Sequence, residues 1–221
     1  MMSNLFSIFD PHSSINYSFN WLSIFIPMFF FPNLFWLKKS KMFIFYNLIN
    51  QFILKEFNNF TKNNYNNIYI FISILLMLLF MNFTGLFPYI FTSTSHMTVS
   101  LPLSLSIWLS IMLFYWFKMT KLSFAHLVPL NTPPALMMFM VMIETISNII
   151  RPMTLAIRLS ANMIAGHLLL CLLGSTGQIL NYNLMMFLIF TQILLFSLEM
   201  AVSIIQSYVF MTLISLYSNE L

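Results

Sequence analysis

The sequence predicts an all-α polytopic membrane protein with three roughly perpendicular spans, one interfacial amphipathic helix, and a long, strongly tilted C-terminal helical hairpin. Three observations predict it. Only nine basic and five acidic side chains occur in 221 residues, 6% of the chain, while 60% are apolar. A soluble domain carries roughly a quarter charged residues, so a water-facing fold, and with it a soluble enzyme, is excluded. The apolar residues also gather into runs long enough to cross a bilayer, which takes about 20 residues. Finally, from Ala135 to Leu173 there is no turn signal except Pro152 and Gly166. The net charge of +4 comes from cations scattered between apolar runs, which leaves no nucleic-acid-binding face. The single cysteine, Cys171, lies in an apolar run and excludes a disulfide framework or a cysteine metal site.

Taken in order, residues 1–18 read as a tail whose only acidic or imidazole side chains are Asp10 and His12. The first cation is Lys38, so the basic start of a cleavable leader is missing. The first span is expected over 19–37, bracketed by Trp21 and Trp36, kinked by Pro27 and Pro32, and closed by Lys38, Lys39 and Lys41. Over 42–60, Phe45, Ile49, Phe52, Ile53, Phe57 and Phe60 recur at helical spacing, while Asn47, Asn50, Gln51, Lys55 and Asn58 fill the other face. That pattern predicts a helix lying on the membrane surface. After an Asn-rich loop, spans are expected over 68–90 and 99–117, separated by the uncharged loop Thr92–Thr98. Lysines 38, 39, 41, 55 and 62 follow the first span, none separates the next two, and Lys118 and Lys121 follow the third. This alternation places the N-terminus outside and the basic loops in the cytoplasm or matrix.

Pro129, Pro133 and Pro134 open the last third. A continuous helix over 135–173 would be roughly 58 Å long, against a hydrocarbon core of about 30 Å, and so must tilt strongly. The alternative is two spans broken at Pro152, but 150–158 lack the polar residues of a loop. Gly174, Ser175 and Gly177 make the turn into a second long helix over 183–217. The whole, 1–221, is read as one membrane domain. A composition rich in Phe (26) and Met (19) and poor in Gly (4) favours residues with A/T-rich codons, as in an organellar gene or an AT-rich bacterium.

Four charges lie inside apolar helices: Glu144, Arg151, Arg158 and Glu199. Each costs on the order of 2.5–3.5 kcal/mol at the centre of a span. Glu144, Asn148, Arg151, Leu155, Arg158 and Asn162 step by 4, 3, 4, 3 and 4, forming one stripe along a helix. Gln192, Glu199, Ser203 and Gln206 step by 7, 4 and 3 and form another, while His167 lies half a turn round from Arg158. Two such stripes on antiparallel helices could line a hydrated path. Alternatively they form a structural network that pairs Glu144 with Arg151, Glu199 with His167, and Gln206 with Arg158. In either case, the buried acids leave Arg158 inviting a carboxylate from another subunit. The intervals between His12, His96, His126 and His167 do not suit axial haem pairs on facing helices, and no phosphate-binding GxxxxGK[ST] loop is present. No cofactor or metal is expected.

Residues 85–95 (GLFPYIFTSTS), 125–129 (AHLVP), 143–170 (IETISNIIRPMTLAIRLSANMIAGHLLL) and 199–210 (EMAVSIIQSYVF) resemble subunit a of F-type ATP synthase, in particular its mitochondrially encoded arthropod form, subunit 6. The opening MMSNLFSIFDP is similar too, and 38–67 are the least alike. The resemblance implies a non-catalytic, proton-conducting stator subunit of the Fo sector in the mitochondrial inner membrane. Its partners would be a rotating ring of c subunits, peripheral-stalk subunit b and other Fo subunits; nucleotide and nucleic acid would not be among them. Arg158 matches the arginine that faces the ring carboxylate and separates two offset half-channels. Glu199 and His167, with Asn162 nearby, match the path from the intermembrane space; Glu144 matches the matrix exit, and Gln206 the residue holding the arginine. Asn148, Arg151, Ser203 and Gln192 are secondary candidates. Met153 departs from the small residue usual there in relatives, and Leu130–Asn131 from the usual loop. Two other classes compete: another ion-coupled or respiratory membrane subunit, and a purely structural one. The antiporter-like variant of the first uses lysines within broken helices, whereas every lysine here lies outside the spans.

Overall fold

The structure, a computed structural model, describes residues 5–14, 17–29, 38–60, 65–128, 133, 136–177 and 182–220. Most of these residues are helical, and none of them forms a strand. Four helices are long and apolar enough to cross a membrane, over Ile68–Gly85, Met97–Lys118, Met137–Thr176 and Leu184–Leu216, as in a multi-pass membrane protein.

The N-terminal segment carries two 3-10 stretches, Leu5–Phe9 and Phe19–Phe25, the second running into one α turn, α1 (Ile26–Phe29). Pro27 is tolerated there because the first amides of a helix have no partner to lose. The rest of the expected first span, 30–37, lies outside the described residues. The segment is tied to a distant part of the chain by His96, whose Nε2 meets the Phe9 carbonyl at 2.8 Å. The His96 ring lies 5.4 Å from Trp21 and 5.2 Å from Phe91.

Helix α2 (Lys41–Phe60) starts at Ser40, whose Oγ accepts from the Phe43 amide at 3.2 Å, as an N-cap should. The helix has three sides rather than two. Tyr46, Ile53, Leu54 and Phe57 pack inward, whereas Met42, Phe45, Leu48 and Phe52 form an exposed apolar stripe. The polar residues Asn47, Gln51, Lys55 and Asn58 occupy the remaining sector and are mostly exposed.

Helix α3 (Tyr65–Gly85) ends at Gly85 because Phe87-Pro88-Tyr89-Ile90 folds into a tight turn. The Ile90 amide donates to the Phe87 carbonyl at 3.3 Å, and Tyr89 has φ 70. Proline then positive φ is the type II pattern, so the helical expectation of 86–90 fails at a turn. A 3-10 turn (Ser93–Ser95) leads into α4 (Met97–Lys118). After a break at Met119 the chain rewinds into α5 (Thr120–His126), which the sequence reading passed over as connection.

Helix α6 (Met137–Thr176) is one uninterrupted helix through Pro152, and α7 (Tyr182–Glu220) is its equal. At 1.5 Å per residue each is roughly 60 Å long, twice a hydrocarbon core. The core joins the first half of α3 (Ile68, Phe71, Leu75) to the last part of α7 (Phe210, Met211, Ile214) and to Leu155 and Leu159 of α6. Those two leucines are 3% and 2% exposed and flank Arg158, so the helix that presents the arginine is fixed against the bundle on both sides of it.

Candidate functional site

The α6 stripe leaves Arg158 on an exposed face with Asn162, Ala165 and Leu169. Arg158 makes no hydrogen bond or ion pair with the described residues. Its guanidinium cannot lose its proton, so this permanent charge points away from the bundle. Asn162 is tied to α7: its Nδ2 donates to Gln206 Oε1 at 3.2 Å. The amide that the sequence expectation assigned to Arg158 is thus held by Asn162, one turn further along the same stripe.

On α7 the stripe splits. Glu199, Ser203 and Gln206 are 8%, 2% and 5% exposed and line one cavity of about 290 Å³ with Asn162, Leu86 and Gly166. Gln192 lies instead near Gly174, at the hairpin end. Neither oxygen of Glu199 has a hydrogen-bond partner, and the Gln206 Nε2 has none. Buried polar atoms of this kind call for a partner, and the cavity is large enough to admit water.

The sequence reading missed why Glu199 fits. A Cβ on Gly166 would lie 2.8 Å from Glu199 Cδ and 3.0 Å from Oε1. Glycine inside a helix costs about 1 kcal/mol relative to alanine and so marks a close approach. That was the available signal. His167, the next residue, lines a second and larger cavity of about 550 Å³ under the loop 86–92, together with Cys171, Asn20 and Ile8. The His167 ring meets the Gly85 backbone, and its Nε2 is buried without a partner. A direct Glu199–His167 pair is therefore absent.

Glu144, Asn148 and Arg151 are half-buried toward the start of α6, and Arg151 has an interaction of its own. None of the three lines the Glu199 cavity. No group of three or more His, Cys, Asp or Glu that could hold a metal is found among the described residues. The side chain of His126 lies outside what is described, and His12 is exposed.

The profile of the family described as ATP synthase A chain matches residues 17–219. The chain belongs to this family. It is similar along its whole length to the ATP synthase subunit a of Drosophila yakuba, 55% identical over 222 residues, which covers 100% of this chain and 99% of that protein. The subunit a of Locusta migratoria is 55% identical over 223 residues and that of Anopheles gambiae 54% over 224, with the same coverage.

Proposed function

We propose that this chain is the proton-translocating stator subunit of Fo, working in the mitochondrial inner membrane against a ring of c subunits, beside subunit b and other Fo partners. It performs no covalent catalysis. Arg158 carries the reading: it is a fixed charge on an exposed helix face, without a partner among the described residues, and Leu159 and Asn162 of the same helix line the Glu199 cavity. A ring carboxylate passing this face is held ionised by the guanidinium. The same positive charge stops a proton from crossing directly between the two sides. Burial of Leu155 and Leu159 keeps the arginine at a constant height.

Protons reach the ring from the intermembrane space through the cavity under 86–92, past His167 and Glu199. They leave toward the matrix along Glu144, with Asn148 and Arg151 nearby. The orientation, with the N-terminus outside and basic loops in the matrix, puts the 86–92 loop on the positive side. Three roughly perpendicular spans hold a tilted pair formed by α6 and α7, with α2 on the matrix surface. The excess length of both helices over the bilayer supports that tilt. A proton descending 100 mV releases about 2.3 kcal/mol, so several must be accumulated by rotation for each ATP.

The test is Arg158→Lys in the assembled complex. Lysine keeps a charge but loses the planar fork and the locked protonation state. The complex is expected to assemble while ATP-driven proton pumping is lost. Normal pumping would refute the stator mechanism and favour a purely structural role for the buried charges.

A further inference from the structure

The two cavities on the outer side meet at one residue. The Glu199 cavity is bounded by residues of α6 and α7, the vestibule by the 86–92 loop, the N-terminal segment and the next turn of α6. Among the described residues, Leu86 alone belongs to both linings. It is 4% exposed and packed where α3 gives way to the turn. On the α6 side the two linings interleave along their boundary: Gly166 and Leu169 line the inner cavity, and His167, Leu170 and Cys171 the vestibule. Across that boundary stand two bare buried groups, His167 Nε2 on one side and the Glu199 carboxyl on the other.

We propose that Leu86 is an apolar septum in the inlet, which bars hydrated cations from the Glu199 cavity and leaves His167 as the polar crossing for protons. A hydrated ion must shed water to pass an isobutyl side chain, whereas a proton needs only successive hydrogen bonds. The vestibule delivers a proton to His167 Nε2 while the ring stays anchored at Gly85. Nε2 then gives up that proton toward a Glu199 oxygen by way of water, since the two side chains do not touch. The inlet thereby selects protons upstream of the ring. This rests on the proton-path reading above, but its test does not depend on pumping.

The probe is Ag⁺, a cation near the size of Na⁺, added to the positive side of the assembled complex. Its capture by a thiol is read as protection from alkylation after unfolding. The native Cys171 lines the vestibule and Val202 the inner cavity. Cys171 should be protected quickly. In a Cys171→Ser, Val202→Cys chain, protection should be on the order of 100-fold slower, the delay set by a barrier like that for a charge in hydrocarbon. Adding Leu86→Ser should restore the fast rate, with Leu86→Ala as the substitute if the serine variant does not assemble. Equal rates at the two cysteines with Leu86 intact would overturn the septum, and so would continued slow labelling after Leu86 is shortened. Loss of pumping in Arg158→Lys leaves these rates unchanged, so the septum and the stator reading fail separately.

Discussion

Gly166→Ala isolates what the glycine does for Glu199. The new methyl would stand 2.8 Å from Glu199 Cδ and 3.1 Å from Cγ. An ordinary carbon–carbon contact is about 3.5–4.0 Å, so the overlap is close to 1 Å. The atoms struck are the end of a flexible side chain, and relief comes by swinging the carboxyl aside rather than by parting the helices. Alanine also favours the helix by about 1 kcal/mol. Assembly and thermal stability of the complex are therefore expected to hold. Displacing a reacting group by 1 Å costs on the order of 10²-fold in rate, and proton-driven ATP synthesis should fall by between about 10- and 100-fold. The assay is ATP synthesis in membrane vesicles under an imposed pH gradient, normalised to assembled complex. The control is Gly174→Ala, whose Cβ would meet only Gln192 Nε2, at 3.9 Å. Unchanged synthesis in Gly166→Ala, or equal losses in both variants, would refute the placement argument, the second by pointing to helix stiffening.

Glu199→Gln keeps the shape of the side chain and removes its ability to pass a proton, so proton flux should fall severely while assembly is retained; flux measured with a pH-sensitive dye decides it. Asn162→Leu removes the 3.2 Å bond to Gln206, worth about 1 kcal/mol, and should lower coupled synthesis about fivefold without loss of the subunit on a native gel. His96→Ala breaks the contact with Phe9, and limited proteolysis from the outer side should then cut the N-terminal segment faster than in the parent. Tyr208→Phe deletes a 3.3 Å bond to Glu56 at an exposed site, where such pairs are worth at most about 1 kcal/mol, so the thermal midpoint of the complex should move little.

The fold was legible where a periodicity or a composition stood behind it. The lack of charge announced membrane helices, and spacings of three and four put Arg158 and Asn162 on one stripe. The unbroken α6 could be read because nothing polar accompanies Pro152. What escaped is tertiary. The bond from Asn162 to Gln206 depends on how α6 crosses α7, which no spacing along either helix encodes. Leu86 is one leucine among many in the sequence and becomes singular only where two cavities abut. The third face of α2 escaped for a related reason: Phe45 and Phe57, about 120° apart on a helical wheel, both belong to one broad apolar sector in the sequence, yet one is exposed and the other buried. Residues 86–90 continue the apolar run of α3, and only Pro88 hinted that the backbone would turn.

Pro152 has a consequence beyond leaving α6 intact. Its ring nitrogen carries no hydrogen, so the carbonyl of Asn148, four residues earlier, loses the amide that would have closed the helix ladder. That oxygen belongs to the stripe of Glu144, Arg151 and Arg158. The helix thus carries, beside a carboxyl and two permanently charged guanidinium groups, one uncharged acceptor of fixed polarity. A peptide dipole neither titrates nor swings, and a water held there would find the same partner whatever the pH on either side of the membrane.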